Sequence, residues 1–516
     1  MKNKFIFLVL SVVFVFATTS CEDWLDVKPE NEASQESVFS SVEGFHSALS
    51  GVYLGMGDID LYGMHLTWHM VDYLAHYYAS IPGSVDLYLH THQYDHANVS
   101  PYIQNIWDKQ YNLIANCNNL LSKLDEYRAN VDELNYQLIR GETLTLRAFL
   151  HFDLMRLFGK GNLSQRNVGT ELTIPYVTEF KKEITPQPTY NEFFTLLEKD
   201  LREGIALLYG ENGENCYRLT YDDPFFDEAN GRDYAYWTYF NYNTSPRIDY
   251  LTARAILARV LMWEGKSESY QEVLDIAQEW IDTENDSFPD DWDWVISFYL
   301  SYNLYENYIL SMENIWHLKV NSLFSYVGDW LDASNPTATY QRIYLSQATA
   351  FEIFENNSGN NTATSDYRFV YMLQPQGSGG LNYATLKMEQ ILDVTTATGN
   401  AKPTAGLIPL IGTSELYYYC AEVYMNQGNL GKAIEALNTV RQHRGISADL
   451  PNTLTAGEVK AEILKEWRKE FVSLGQLFYF YKRWGVETVV GYSEPMTDLQ
   501  YVLPIPDDEI TYGNRQ

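Results

Sequence analysis

Helical periodicity dominates the pattern of hydrophobic and polar residues from about residue 38 to residue 208. Between Gly141 and Gly159 two apolar stripes recur at helical spacing, formed by Leu144, Ala148, Phe152 and Met155 and by Leu150, Leu154 and Leu157. A helix that is apolar on most of its sides is buried in a protein core. The pattern therefore predicts a long buried helix that ends at the glycines Gly159 and Gly161.

Two later segments share a helical pattern and predict paired helices. Each has three residues at matched spacing, namely Ala258, Leu261 and Gly265 in the first segment and Ala421, Tyr424 and Gly428 in the second. A second amphipathic segment follows each of them, around residues 270–280 and 431–444. Small residues let two helices approach, and large residues fill the groove between them. The pattern is typical of tetratricopeptide helix pairs, which stack into a solenoid.

The rest of the chain is less regular. Residues 314–320 predict a short strand, and the turn-rich residues 356–364 and 374–380 predict loops. Residues 211–246 are crowded with Tyr, Phe, Asp and Asn. Long loops on a compact scaffold are usually functional or disordered. We expect one mainly α body that has a loop-rich part and a few short strands.

The N-terminus predicts export of the chain. Lys2 and Lys4 begin it, an uncharged apolar run of 13 residues (5–17) follows, and small residues then lead to Cys21. This order is that of a signal peptide, and the run is shorter than the roughly 20 residues of a membrane-spanning helix. A cysteine at the cleavage point predicts a lipid anchor on Cys21, although Thr18 stands where such signals usually carry Leu. The alternative is ordinary cleavage that leaves Cys21 as a free thiol.

Charge and cysteine content narrow the classes of function. The formal net charge of −32 argues against nucleic acid, whose phosphates need a basic surface, and against adsorption to anionic lipid. Membrane attachment then rests on the lipid anchor alone. If Cys21 is lipidated, the remaining cysteines are three (Cys117, Cys216 and Cys420), so at least one is unpaired and no disulfide scaffold is predicted.

Motifs of catalysis are missing from the sequence. It has no Walker loop, no dinucleotide-binding glycine pattern, no G-x-S-x-G elbow and no H-E-x-x-H. Acidic residues are numerous enough for a glycosidase pair to be imagined, but a sequence cannot show the separation that such a pair needs. We therefore expect a binding protein, not an enzyme, and predict no cofactor.

Two groups of residues raise the question of a metal. Six of the ten histidines lie between His65 and His96, and the pairs His65/His69 and His92/His96 have the spacing that places two imidazoles on one helix face. No cysteine joins them, so hydrogen-bonded polar histidines are the favoured interpretation. Acidic residues at 282–293 could hold calcium, but they lack the glycine and terminal Glu of an EF-hand, which favours a solvated acidic loop. We predict no metal site.

Aromatic residues are frequent, at 15% of the chain with 41 Tyr and 12 Trp. The apolar C–H face of a pyranose suits the face of a Trp or Tyr ring, and its hydroxyl groups suit Asn, Asp, Arg and Tyr. Core packing explains any single ring better, but three clusters flanked by Asp or Asn predict a surface platform. The candidate ligand-binding residues are Trp68, Tyr73, Tyr77 and Tyr88; Trp237 and Tyr239; and Trp292, Trp294 and Tyr302.

Segments in a fixed order resemble the SusD/RagB family of outer-membrane nutrient-binding lipoproteins. They include the opening at residues 21–29, Gly141-Glu142 with Leu146-Arg147-Ala148-Phe149 and Phe158-Gly159, residues 255–259, Ile408-Pro409-Leu410 with Glu415 and Ala421-Glu422, Asn438-Thr439-Val440-Arg441, Lys482-Arg483-Trp484-Gly485, and Pro504-Ile505-Pro506. Three positions depart from the family pattern. Gly412 and Trp467 each stand where the family tends to have Arg, and residues 479–481 (Tyr-Phe-Tyr) replace a stretch that bears Asp. These departures indicate a divergent branch, so starch, the family's best-known ligand, is not assumed.

The resemblance implies a fold, a location and a function. The SusD-like fold implied is a right-handed solenoid of tetratricopeptide-like helix pairs that packs against a SusC-like TonB-dependent transporter. The function implied is capture of oligosaccharides by a lipid-anchored protein on the surface of the bacterial outer membrane, and their delivery to that transporter. A peptide-binding lipoprotein of the same transporter class is the alternative. The chain then divides into a signal peptide (1–20), an N-terminal region with helical repeats (21–310) and a C-terminal region packed on the same body (311–516).

Overall fold

The computed structural model describes residues 35–80, 84–211, 247–287, 294, 309–310, 313–320, 343–357, 361–376, 381–387 and 406–515. The predicted signal peptide, Cys21 and Cys216 lie outside these residues. The α-helices are α1 (Gln35–Val38), α2 (Val42–Met56), α3 (Met70–Leu74), α4 (Val85–His90), α5 (Ser100–Glu126), α6 (Glu133–Phe158), α7 (Tyr190–Tyr209), α8 (Tyr250–Glu264), α9 (Tyr270–Ser287), α10 (Gln347–Ile353), α11 (Tyr367–Val370), α12 (Thr413–Asn426), α13 (Leu430–His443), α14 (Ala456–Glu470), α15 (Leu477–Trp484), α16 (Asp498–Tyr501) and α17 (Asp507–Tyr512). Short 3-10 turns lie at Arg128–Asn130, Leu163–Gln165, Ser267–Ser269 and Thr362–Thr364.

The strands are short and form two small antiparallel sheets. They are β1 (Asn314–Lys319), β2 (Leu345–Ser346), β3 (Leu373–Gln376), β4 (Asn382–Thr385) and β5 (Leu407–Gly412). Strand β1 pairs with β5, and β4 lies between β2 and β3. The strand predicted at 314–320 is confirmed. The loop predicted at 374–380 is wrong for residues 374–376, because backbone pairing with β4 continues through them.

The long buried helix predicted from the two apolar stripes is α6. Its last 18 residues, Gly141–Phe158, are all buried. Helix α7 packs closely against it where Gly141 and Gly204 meet, and a Cβ at Gly204 would lie 2.8 Å from the Gly141 carbonyl oxygen. Asp132 begins the helix by accepting a hydrogen bond from the Asn135 backbone N–H. Gly159 ends it, as the sequence predicts.

The two predicted helix pairs are α8 with α9 and α12 with α13. Gly265 and Gly428 follow the first helix of each pair with φ of 69° and 77°, the left-handed region that glycine adopts without strain. Helix α9 also packs against α12, and α12 against α14, so the pairs stack one on another. The mainly helical fold with tetratricopeptide-like pairs is thereby confirmed. Asp282, Glu284 and Asp286 lie within α9, so the acidic loop predicted at this point is wrong for them.

One hydrophobic core runs through the described part of the chain, from Phe39 to Leu503, and it takes in residues on both sides of position 310. The boundary between residues 310 and 311 stays a prediction. Cys117 and Cys420 are free thiols within this core, and burial raises the pKa of each to about 12. Within the described ranges, no helix combines the length and the apolar character that crossing a membrane requires.

Buried ion pairs and hydrogen bonds of charged side chains join distant parts of the chain. Arg259 of α8 donates to both carboxylate oxygens of Glu415 on α12, at 2.7 and 2.6 Å. Arg483 of α15 does the same to Glu422, at 2.7 and 2.6 Å. The Lys482 ammonium donates to the backbone carbonyl of Arg156 at 2.7 Å. Most of these residues belong to the segments that carry the family resemblance, so those segments encode the scaffold.

The largest of these charge clusters surrounds Arg444. Its guanidinium contacts Glu313 and Glu470, and Glu470 also accepts a hydrogen bond from Arg368 at 2.8 Å. Burial alone would raise the pKa of Glu470, but the two arginines outweigh it and lower that pKa to about 2. The carboxylate is therefore ionised in the folded protein and holds α14 to α11 and to the end of α13.

Two of the departures from the family pattern meet in the structure. Trp467 of α14 stacks on Phe480 of α15, with ring centroids 4.4 Å apart and an angle of 8° between the planes. Both rings are buried. At these two departures from the family pattern, this chain joins α14 and α15 through an apolar stack.

Candidate ligand-binding surface

The structure first places the aromatic residues predicted from the sequence. Trp68, Tyr73 and Tyr77 are at most 1% exposed. The Trp68 Nε1–H donates to the Gly63 carbonyl at 3.0 Å, and the Tyr77 hydroxyl donates to the Arg468 carbonyl at 2.7 Å. The expectation that these three rings lie on a surface platform is wrong, because they fill the core around α3.

Of the third predicted cluster, Trp292, Trp294 and Tyr302, the structure describes Trp294. Trp294 is also buried, and it stacks on His443 at a centroid distance of 4.3 Å. The Arg444 guanidinium lies 5.2 Å from the centre of the same ring. Trp294 therefore packs against the scaffold. Trp292 and Tyr302, and Trp237 and Tyr239 of the second cluster, lie outside the described residues, and their role in ligand binding stays a prediction.

Tyr88 differs from the buried rings because it is half-buried at the surface. It lies on α4 and stacks on His96 with ring centroids 3.5 Å apart and planes at 14°. The loop that carries His96 also carries the exposed polar residues Gln93, Asp95 and Asn98. Among the rings of the first cluster, Tyr88 is the one that the described structure leaves accessible.

A second stack is linked to the first through helix α4. His76 stacks on the half-buried Tyr492, with centroids 4.3 Å apart and planes at 19°. His90, which is two residues from Tyr88 on α4, contacts His76 and the edge of the Tyr492 ring. Sequence reasoning missed Tyr492, because it lies some 400 positions from the histidines and no motif surrounds it. We call the two stacks and His90 and His92 the histidine–tyrosine surface.

Hydrogen bonds between imidazoles hold this surface together. The His76 Nδ1 lies 3.2 Å from the His90 Nε2, and its Nε2 lies 3.0 Å from the His92 Nε2. The His92 Nδ1 lies 3.0 Å from the Tyr94 hydroxyl. His76 and His92 both have positive φ, at 61° and 52°, an unusual conformation for residues other than glycine. The packing around the imidazoles therefore holds the backbone of His76 and His92 in this unusual conformation.

The imidazoles of His76, His90 and His92 are neutral at neutral pH. Burial, and secondarily the neighbouring histidines, lower the pKa of His76 to about 2 and that of His92 to about 3. Burial also lowers the pKa of His90. A neutral imidazole offers one donor and one acceptor. The surface therefore presents neutral aromatic faces and hydrogen-bonding groups, which suits a ligand with apolar faces and hydroxyl groups.

The two histidine pairs with i, i+4 spacing do not lie on helices. His65 and His69 lie in turns before α3, and their Nδ1 atoms are 3.2 Å apart. His92 and His96 lie in the loop after α4, and His96 stacks on Tyr88 instead of joining His92. His76 turns different nitrogens toward its two partners, so the three rings do not converge on one point. Across the described ranges, no three His, Cys, Asp or Glu side chains are grouped to hold a metal ion.

Comparison with known proteins shows which proteins this chain is similar to. Residues 23–220 match a SusD-like family model described as "Starch-binding associating with outer membrane". No curated protein matches the chain. Among solved structures, a SusD superfamily protein from Bacteroides thetaiotaomicron is 19% identical, with a TM-score of 0.68 over 92% of this chain and 98% of that one.

Two other solved structures share the fold. A putative sugar binding protein from Bacteroides vulgatus is 19% identical, with a TM-score of 0.62 over 91% of this chain and 96% of that one. Surface glycan-binding protein A from Bacteroides thetaiotaomicron is 16% identical, with a TM-score of 0.62 over 92% of this chain and 98% of that one. At these identities the likeness concerns the fold alone, and it extends over nearly the whole length of each protein.

Proposed function

We propose that this chain, which the family match and the shared fold make a SusD-like protein, is a cell-surface glycan-binding lipoprotein. In this proposal it captures oligosaccharides and delivers them to a SusC-like TonB-dependent transporter in the outer membrane. It acts as a binding protein without catalysis or cofactor. The alternative is a peptide-binding lipoprotein of the same transporter class.

The observation that carries the proposal is the match of residues 23–220 to a family described as starch-binding and associated with the outer membrane. A surface glycan-binding protein with the same fold over 92% of this chain supports it. The departures at Trp467 and at 479–481 leave the choice of glycan open. Starch is therefore one member of the set to be tested.

The histidine–tyrosine surface supplies the chemistry for a glycan. The half-buried ring of Tyr88, held by His96, can stack on the C–H face of a pyranose. The exposed side chains of Gln93 and Asn98 can donate and accept hydrogen bonds with its hydroxyl groups. The nearby imidazoles of His76, His90 and His92 are neutral, and most of their nitrogens already pair with one another or with Tyr94, so they support the surface without selecting a charged ligand.

The lipid on Cys21 would hold the protein at the membrane, with Glu22 and Asp23 as its surface-export signal. The stacked helix pairs α8–α9 and α12–α13 would provide the face that packs against the transporter. Replacing Cys21 by Ala should then move the protein from the membrane fraction to the soluble fraction of a cell extract. Retention of the Cys21→Ala variant in washed membranes would contradict the lipid anchor.

Affinity gel electrophoresis tests the glycan proposal. The mature chain carrying Cys21→Ala would be run through native gels that contain starch, xylan, mannan, galactan or pectin, and a binding polysaccharide retards it. Tyr88→Ala should weaken that retardation by about tenfold in affinity, the scale of a lost aromatic stack with its contacts. Tyr512→Ala is the matched control, because Tyr512 lies on α17, is 75% exposed and is not one of the residues that form the surface.

The two candidate functions give different results in this experiment. Retardation by a polysaccharide that Tyr88→Ala weakens and Tyr512→Ala leaves unchanged supports glycan capture. Binding to peptides in calorimetric titration, with no retardation by any polysaccharide, would favour the peptide-binding alternative. Release of reducing sugar from the retarding polysaccharide would contradict the binding-only role.

A further inference from the structure

Two adjoining clefts lie away from the stacked pairs of the histidine–tyrosine surface, where the segment 161–166 meets the ends of helices α8 and α15. One has a volume of about 400 Å³ and the other about 330 Å³. Both are lined by Asn162, and the consecutive residues 482–485 line one or the other. The two clefts therefore form one groove, with Asn162 at their junction. Each volume lies in the lower part of the range of small-molecule sites, roughly 300–1,000 Å³.

Glycines let the backbone segments that form the groove approach closely. Gly265 and Gly485 end α8 and α15 with φ of 69° and 61°. A Cβ on Gly265 would lie 2.8 Å from the Cβ of Ser164, and one on Gly485 would collide with the Asn162 side-chain amide. Asn162 is itself left-handed, with φ of 54°. The packing therefore holds its side chain at the junction of the two clefts.

Apart from the buried Lys482, the charged side chains around the groove balance in number. Arg483 is paired with Glu422 at 2.6 Å, and Arg166 with Asp498 at 2.8 Å. The two other charged side chains with access to the groove, Lys460 and Glu487, are opposite in sign. Lys482 is buried and donates to backbone carbonyls. A groove balanced in this way does not favour a phosphate or another ionic ligand, even though the whole chain carries a net charge of −32.

The C-terminal ends of α8 and α15 also disfavour an anionic ligand in the groove. The last carbonyl groups of a helix carry a partial negative charge and lack partners within the helix. Both α8 and α15 end at the groove, so their carbonyl groups disfavour an anion and can accept hydrogen bonds from hydroxyl groups. One such carbonyl, that of Met262, already accepts a hydrogen bond from Arg483 at 3.3 Å.

An aromatic ring and amide side chains complete the groove. Trp484 is half-buried, packs on Phe480 at a centroid distance of 4.6 Å, and is covered by the Lys460 ammonium at 5.1 Å. Lys460 is exposed, so its flexible side chain can move aside and leave the ring face to a ligand. The exposed amide of Asn426, which donates to the Tyr270 hydroxyl at 3.2 Å, lies in the same cleft.

We infer that this groove, built around Asn162, Trp484 and Asn426, binds a neutral sugar unit at a second carbohydrate subsite distinct from the histidine–tyrosine surface. The inference rests on the proposed function and deepens it. The segment 486–501 connects the two places, because Tyr492 stacks on His76 while Glu487 and residues 496–499 line the groove. A chain of several sugar units could therefore contact both.

Fluorine NMR on the protein labelled with 5-fluorotryptophan tests the inference. The Trp484 resonance is assigned with the Trp484→Phe variant, and the protein is titrated with neutral oligosaccharides of glucose, mannose, galactose and xylose. A saturable shift of that resonance is expected. Asn426→Ala and Asn162→Gly should each weaken binding several-fold, the scale of one or two lost hydrogen bonds. Glycine keeps the left-handed backbone of residue 162, and Asn116→Ala on the exposed side of α5 is the matched control.

The outcomes separate this inference from the proposed function. If an oligosaccharide binds and Tyr88→Ala weakens it, while the Trp484 resonance and both groove variants show no effect, the second subsite is overturned and the function stands. If titration with inorganic phosphate or an acidic peptide shifts Trp484 and no sugar does, the neutral-sugar assignment is overturned. If no glycan binds the folded protein at all, both proposals fail. Far-UV circular dichroism verifies that each variant is folded.

Discussion

The buried charge clusters of the scaffold and the histidine–tyrosine surface both place polar side chains out of water, but they do so in opposite ways. Around Arg444 the groups stay ionised, because guanidinium and carboxylate groups satisfy one another at 2.5 to 3.1 Å. Around His76 the groups stay neutral, because burial lowers the pKa of each imidazole and no carboxylate among the contacts of His76 offsets it. The cluster around Arg444 joins parts of the scaffold through ion pairs, whereas the region around His76 is a set of neutral, hydrogen-bonded rings.

The segments that carry the family resemblance supply charged residues of the scaffold, not residues of the histidine–tyrosine surface. Arg147, Arg259, Glu415 and Arg483 lie in the segments that carry the resemblance, and the structure uses them to join helices. Tyr88, His96 and Tyr492 lie in no such segment. A family can keep its fold while the exposed surface changes, and this is the pattern expected of proteins that share one scaffold and capture different ligands.

Removing one partner of the scaffold cluster should have the largest effect. Arg444→Met leaves Glu313 and Glu470 without their common counter-charge, so the free energy of unfolding should fall by about 3–5 kcal/mol. Urea unfolding followed by circular dichroism measures it. Arg202→Met is the control, because its ion pairs are 24–45% exposed and should contribute less than about 1 kcal/mol. Equal losses in the two variants would contradict the special role of the buried cluster.

Lowering the pH should act on the histidine–tyrosine surface and on the buried His65. His65, His76 and His92 have folded-state pKa values of about 3, 2 and 3, all below the value of about 6.5 in the unfolded chain. The unfolded chain therefore binds more protons, and stability present above about pH 6.5 is lost as the pH falls toward 3, at about 1.4 kcal/mol per pKa unit. Burial raises the pKa of Asp86 to about 6. Protonation of this carboxyl therefore favours the folded state as the pH falls, which opposes the effect of the histidines.

A variant isolates the histidine contribution from that of the acids. His76→Gln/His92→Gln keeps hydrogen-bonding side chains and removes two titrating groups. Its free energy of unfolding should vary less between pH 6.5 and pH 3.5 than that of the unsubstituted protein. Parallel curves for the two proteins would show that these imidazoles do not control the acid response.

The stack of Trp467 on Phe480 should give a smaller, coupled effect. In a double-mutant cycle with Trp467→Leu and Phe480→Leu, the two losses of stability should differ from additivity by about 0.5–1.5 kcal/mol. The coupling reflects the face-to-face contact that replaces the family's more polar pattern. Strict additivity would mean that the two departures are independent.

Tyr88→Ala should change stability least. The ring is half-buried and its main aromatic contact is the stack on His96, so the free energy of unfolding should shift by less than about 1 kcal/mol. Differential scanning calorimetry measures the shift. A loss as large as that of Arg444→Met would place Tyr88 in the scaffold instead of the ligand-binding surface.

The sequence predicts the helices and the strand of the scaffold well, because these elements follow from patterns among residues that are close together in the chain. The stripes of α6, the paired helices with Gly265 and Gly428, and strand β1 all follow from periods that nearby residues repeat. The charge clusters do not follow from such periods, since Arg444 meets Glu313 across 131 positions of the chain.

The surface was harder to predict for a physical reason. Trp68, Tyr73 and Tyr88 are similar as residue types, and burial separates them only once α3 and α4 are packed. Tyr492 has no local pattern at all, and it reaches His76 through the tertiary fold. The helical spacing of His65 and His69 arises in turns, so the same pattern can occur without a helix.

Hydrogen exchange with and without a bound oligosaccharide tests the central claim most directly, because it maps where the ligand contacts the full mature chain. We expect slower exchange in residues 84–98 and 486–501 and at 161–166, with little change in helices α7 and α13, which do not line the groove. Protection confined to α7 and α13, with none at the histidine–tyrosine surface, would contradict glycan capture at this surface.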